Sequence, residues 1–133
     1  MSVMVDSCVY LDIFTRDPNW CEWSSRVLSD AANEGVIVLN PVIYAEISIR
    51  FERIEEIEAL LPAEVFEYRP IPREAAFLAG KCFLEYKRRG GQMSSPLPDF
   101  FIGAHAAVAN LSLVTRDPKR FRDYFPGLKL ISP

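Results

Sequence analysis

Val3-Met4-Val5-Asp6-Ser7-Cys8 decides the fold class. Its three apolar residues make the short continuous run expected of a buried parallel strand, and a new periodic segment begins at once over residues 9–14. Asp6 therefore stands at the carboxyl end of a strand. Ligands of open α/β sheets bind outside those ends, which makes this acid a candidate site residue. It is equally a candidate helix cap, because a short oxygen side chain satisfies the unpaired N–H groups of a first turn.

Outward from that strand the periodicity alternates. Residues 20–34 predict an amphipathic helix with Trp20, Trp23, Val27, Leu28 and Ala31 near one face and Gly35 as its stop. Residues 36–39 predict a second strand, after which Asn40-Pro41 opens a helix with a capping residue and a first-turn proline. A shorter helical piece over 52–61 ends at Pro62, and 65–68 is a strand or an extended connector before an irregular 69–72. The helix over 73–89 carries Ala76, Phe77, Gly80, Phe83 and Leu84 on its apolar side. Residues 90–96 form the one Gly/Ser/Pro-rich loop. Beyond it, Pro98-Asp99 begins a helix over 100–110 packed through Ile102, Ala106 and Val108, and strands follow over 111–114 and 128–131. This alternation predicts one α/β domain over residues 1–133.

Four acids are placed to converge on one pocket: Asp6, Glu46, Asp99 and Asp117. Glu46 is a lone acid inside an apolar turn, where an unpartnered carboxylate is costly to bury. Arg50, four residues on, is its structural alternative partner. The tetrapeptide Thr-Arg-Asp-Pro occurs twice, at 15–18 and 115–118. Asp117 follows a β run and so shares a sheet edge with Asp6, whereas Asp17 follows a helical turn and is read as a cap ahead of Pro18. Converging carboxylates repel one another unless cations or protons offset their charge. Mg2+ and Mn2+ prefer such oxygen ligands, and a bound divalent ion suits in-line hydrolysis of a phosphodiester.

Bulk properties exclude several other classes. The chain has 133 residues, half of them apolar and a quarter charged, which is ordinary globular composition. No apolar run reaches the roughly 18 residues of a membrane span, and the N-terminus lacks a signal-peptide pattern, so a cytoplasmic protein is expected. Cys8, Cys21 and Cys82 are widely spaced, which predicts free thiols. The net charge of -3 includes the four candidate acids, so the rest of the surface carries about +1 and nucleic acid is not excluded. Lys87-Arg88-Arg89 and the set Arg116, Lys119, Arg120 and Arg122 are dense enough to hold phosphates, or are solvated helix ends. The sole histidine, His105, is six helical positions from Asp99 and thus faces elsewhere. No phosphate-cradling glycine loop is present.

Four fragments, Val5-Asp6-Ser7, Tyr44-Ala45-Glu46-Ile47, the run from Pro98-Asp99 to Ala106, and Leu113-Val114-Thr115-Arg116-Asp117-Pro118 with Phe121, resemble the PIN-domain family. Spacing and length are similar to VapC-type toxins of toxin-antitoxin modules. The resemblance spans the whole chain. It implies a three-layer α/β/α fold with a central, mostly parallel sheet flanked by helices. It further implies an endoribonuclease whose Asp6, Glu46, Asp99 and Asp117 bind Mg2+ or Mn2+, with Thr115 orienting a carboxylate or water. A cognate antitoxin covering the pocket and a homodimer are implied with it. Trp20, Trp23, Ile49 and Phe51 are candidates either for the antitoxin groove or for ordinary core packing. Ser7-Cys8 and Asn40-Pro41 depart from the small-residue-then-Asn and hydroxyl patterns frequent among relatives. Two other readings remain: a catalytically silent PIN-fold scaffold that binds protein, and a phosphatase using Asp6 as nucleophile, which would want an acid where Cys8 stands.

Overall fold

The computed structural model describes residues 2–133. Strands and helices alternate from β1 (Val3–Val5), α1 (Ser7–Phe14) and α2 (Cys21–Glu34) to β2 (Ile37–Leu39), α3 (Pro41–Ser48), α4 (Ile54–Leu60) and β3 (Phe66–Tyr68). The second half holds α5 (Arg73–Arg88), α6 (Pro98–Val108), β4 (Ser112–Val114), α7 (Lys119–Tyr124) and β5 (Leu130–Ile131). The apolar runs of β1 and β2 are buried at every position, as strands covered on both faces require.

All pairings are parallel, in the order β3-β2-β1-β4-β5. The chain walks outward from β1 to β3 and then jumps back to start again at β4, on the other side of β1. Because parallel crossovers are right-handed, that reversal puts α1 to α4 on one face of the sheet and α5 to α7 on the other. The result is a three-layer α/β/α fold. Its switch point is the crevice between β1 and β4, where ligands of such sheets bind.

Local chemistry sets the boundaries that matter. Asn40 accepts the Ile43 N–H at 2.9 Å through its side chain, and Pro41 occupies the first turn of α3. Opposite β1, Val5 registers with Val114, and the Asp6 N–H donates to the Val114 carbonyl at 2.9 Å. Asp6 and Thr115 therefore leave the sheet side by side.

Two apolar faces differ from expectation. On α5 the buried residues are Ala75, Ala79 and Cys82, while Phe77 is 69% and Leu84 45% exposed. Small side chains let α5 lie along α6, so the large apolar residues mark the face turned away. Val108 is likewise outside, 40% exposed, because α6 ends there. Among the groove candidates, Trp23 and Phe51 pack against the core, whereas Ile49 is 82% exposed. Among the described residues no helix is long and apolar enough to cross a membrane.

Candidate metal centre

Asp6 caps α1 and is at the same time a candidate site residue. One carboxylate oxygen accepts the Ser7 N–H at 2.8 Å at the start of α1. The other accepts the Thr115 hydroxyl at 2.8 Å and lies 3.5 Å from Cys8 Sγ. Thr115 is fully buried, and its oxygen also accepts the Asp117 N–H at 3.1 Å. One hydroxyl thus ties the first acid to the backbone of the last. Burial, followed by the charge of Asp6, pushes the Cys8 thiol up to about 12, so it faces the carboxylate as a neutral weak donor.

Glu46 turns from α3 toward α1, accepting the Ser7 hydroxyl at 2.8 Å rather than pairing with Arg50. Asp99 sits in the first turn of α6, half-buried, with Arg120 Nη1 3.6 Å from its Oδ2. Asp117 is exposed beyond β4, with Arg116 Nη1 3.4 Å from its carboxylate. Asp17 lies apart from these: its side chain accepts the Asn19 and Trp20 N–H groups in the turn that leads into α2.

Mutual repulsion links the acids. The Asp6 carboxyl is pushed up to about 6, by burial first and then by Asp99 and Glu46, against the opposing hydrogen bonds of Thr115 and Cys8. Glu46 is raised by burial and by Asp99, and Asp99 by burial and Asp117, partly offset by Arg120. Among the described residues, no three His, Cys, Asp or Glu side chains stand close enough together to grip an ion by themselves. The donor chemistry nevertheless fits a hard divalent cation: carboxylates and hydroxyls without thiolate or imidazole, and a buried acid short of positive charge.

The sequence profile of the PIN domain matches residues 3–124. The chain belongs to the PIN domain family. Among solved structures, this PIN domain is similar to VapBC2 from Rickettsia felis bound to a DNA fragment from their promoter, with 19% identity, 100% of this chain and 99% of that chain covered, and a TM-score of 0.73. It is also similar to VapBC-1 from nontypeable Haemophilus influenzae, with 19% identity, 99% and 98% covered, and a TM-score of 0.70. A toxin-antitoxin complex from Klebsiella pneumoniae aligns with 19% identity, 97% and 95% covered, and a TM-score of 0.69. At such identity these likenesses establish the fold. No curated protein matches the sequence.

Residues that the sequence named but did not assign to the acidic cluster support this PIN domain from beneath. Ser7 holds Glu46, as above. Asn40 and His105 meet at 3.1 Å between the amide nitrogen and Nδ1, tying α6 to the start of α3. His105 is buried, and burial lowers its pKa, so the ring is a neutral core partner. Arg116 departs from its reading as a phosphate ligand, because its guanidinium is engaged by the buried Asp12. Asp12 carried the same signal that marked Glu46, a lone acid in an apolar turn. The Lys87 to Arg89 cluster is a solvated helix end: Lys87 donates to the carbonyls of Gly91 and Met93, and Arg89 pairs with Glu85.

Proposed function

We propose that this PIN domain, acting as one unit over residues 1–133, is a Mg2+- or Mn2+-dependent endoribonuclease and the toxin of a toxin-antitoxin pair. The observation that carries the reading is the carboxylate of Asp6 at the β1/β4 switch point, pushed up in pKa by burial first and then by the nearby charges of Asp99 and Glu46. Asp6, Glu46, Asp99 and Asp117 would hold the ion, which supplies charge neutralisation at the phosphate and a lowered pKa for an attacking water. Thr115 keeps Asp6 turned toward the cleft, and Ser7 does the same for Glu46. Attack in line would form a new P–O bond as the bond to the departing ribose oxygen breaks, with the water's proton leaving to a carboxylate and the ribose oxygen taking up a proton from solvent. Likeness to VapBC complexes supports a cognate antitoxin as partner, with a homodimer as the proposed assembly and the cytoplasm as the place of action.

Purified protein incubated with RNA should cut it when Mg2+ or Mn2+ is supplied and stop when a chelator is added. Expression without antitoxin should arrest growth, and Asp6→Asn should relieve the arrest. Persistent toxicity of that variant would point to another mechanism.

One observation favours a second reading, a catalytically silent PIN-fold scaffold: the acids are not drawn into a ready-made ligand set. Absence of cleavage under every antitoxin-free condition, in protein that still binds a partner, would select the scaffold.

A further inference from the structure

Asp99 and Asp117 line a cleft of about 430 Å³ together with Asp123, Tyr86, Tyr124, Lys119 and Arg120. Its volume suits a small flat ligand. The metal chemistry above has no use for the two tyrosines, yet their rings are fixed with some care. Phe100, fully buried, meets Tyr86 with centroids 5.8 Å apart and Tyr124 at 4.9 Å. The Tyr86 hydroxyl oxygen accepts the N–H groups of Gln92 and Met93 at 3.2 and 3.4 Å. Gly91 closes the loop onto the same ring so tightly that a Cβ there would come within 2.2 Å of it. The Arg89 guanidinium lies 4.6 Å from the Tyr124 centroid.

Rings held in this way have little rotamer freedom left to lose when a planar group stacks on them. On α7, Arg120 and Tyr124 are four residues apart and share a face. Lys119 is exposed beside them. Aromatic faces for a base, cations for its phosphate and carboxylates at the end of the same cleft make the combination by which proteins hold single-stranded nucleic acid. A base in a duplex stays stacked on its neighbours and does not reach such a surface.

Resting on the nuclease reading, we propose that this cleft is the base-stacking subsite for the nucleotide next to the cleaved linkage of single-stranded RNA. Tyr124 carries the stack, Tyr86 forms the fixed wall behind it, and Lys119 and Arg120 take the adjoining phosphate.

The test is fluorescence anisotropy of an end-labelled single-stranded oligoribonucleotide, with every variant built on Asp6→Asn protein in Mg2+ so that the strand stays whole. Tyr124→Leu should weaken binding about five- to a hundredfold, and Tyr124→Phe should keep the parent affinity. Lys119→Ala should weaken binding and lower the salt slope by about one. Tyr68→Leu, an exposed aromatic on the edge strand β3, should change nothing. Parent protein that does not bind the strand, a well-folded Tyr124→Leu that binds as the parent does, or Tyr124→Phe falling as far as the leucine variant would each overturn the proposal. Should the leucine variant unfold, unchanged binding by Lys119→Ala overturns it instead. Binding in the expected pattern by a wild-type protein that never cuts RNA would sink the nuclease reading and leave the subsite standing; cutting with no dependence on Tyr124 would do the reverse.

Discussion

Arg116 grips the buried carboxylate of Asp12 with two nitrogens, Nε at 2.8 Å and Nη2 at 3.0 Å, joining the loop after β4 to helix α1. Ser24 of α2 donates to the same carboxylate at 2.8 Å, and Trp20 lies under the guanidinium with 5.6 Å from carbon to ring centroid. The remaining nitrogen, Nη1, is 3.4 Å from Asp117. An arginine adjoining the candidate centre is thus held by the scaffold, which fixes the loop that presents Asp117.

Removing either half of that pair leaves the other without its main partner. Asp12→Ala should cost about 3 kcal/mol of stability, measured by urea unfolding. Arg116→Ala should destabilise as well, yet leave the salt slope of RNA binding unchanged, because its charge is spent internally. A reduced slope would return Arg116 to the phosphate-binding set.

Loss of a proposed metal ligand should remove activity without unfolding the protein. Asp6→Asn and Asp99→Asn are each expected to abolish cleavage in a gel assay while the circular dichroism spectrum is retained. Full activity in either variant would take that residue out of the centre.

Metal-free stability should fall as pH rises. The folded chain keeps the Asp6 proton up to about pH 6, whereas the unfolded chain releases it near 3.8. Between those values the folded state binds more protons, so the stabilisation is present below the window and is lost across it. Glu46 and Asp99 are shifted in the same direction. Unfolding in chelator, followed from about pH 4 to about pH 7, should show a decline of which Asp6 contributes on the order of 3 kcal/mol. Asp6→Asn should flatten the curve; an unchanged slope would mean that burial and the neighbouring acids do not raise the Asp6 carboxyl.

The duplicated tetrapeptide offers an internal control. Asp17 uses its side-chain oxygen as an acceptor for Asn19 and Trp20, a role that an amide oxygen can fill. Asp17→Asn should therefore be nearly silent in both cleavage and thermal melting. A large loss of cleavage would mean that the wrong copy had been placed at the centre.

What the sequence disclosed and what it hid differ by mechanism. Asp6 was legible because an apolar run ending in an acid marks a strand end, and Asp117 was separated from Asp17 by the β run before it. The parallel sheet followed from the same alternation. The buried face of α5 was not legible: helix–helix contact there uses Ala75, Ala79 and Cys82, while the bulkier Phe77 and Leu84 that dominate the periodicity point outward. The partner of Arg116 was hidden for a related reason. A cluster of cations along the chain says nothing of which one a distant buried acid will claim, and Asp12 is 104 residues away in sequence.

Anomalous scattering from a crystal soaked in Mn2+ tests the central claim most directly. The account predicts a single region of ion density bordered by the carboxylates of Asp6, Glu46, Asp99 and Asp117, and its disappearance in Asp6→Asn. Density confined to other surfaces, or none beside Asp6 at saturating Mn2+, would contradict it.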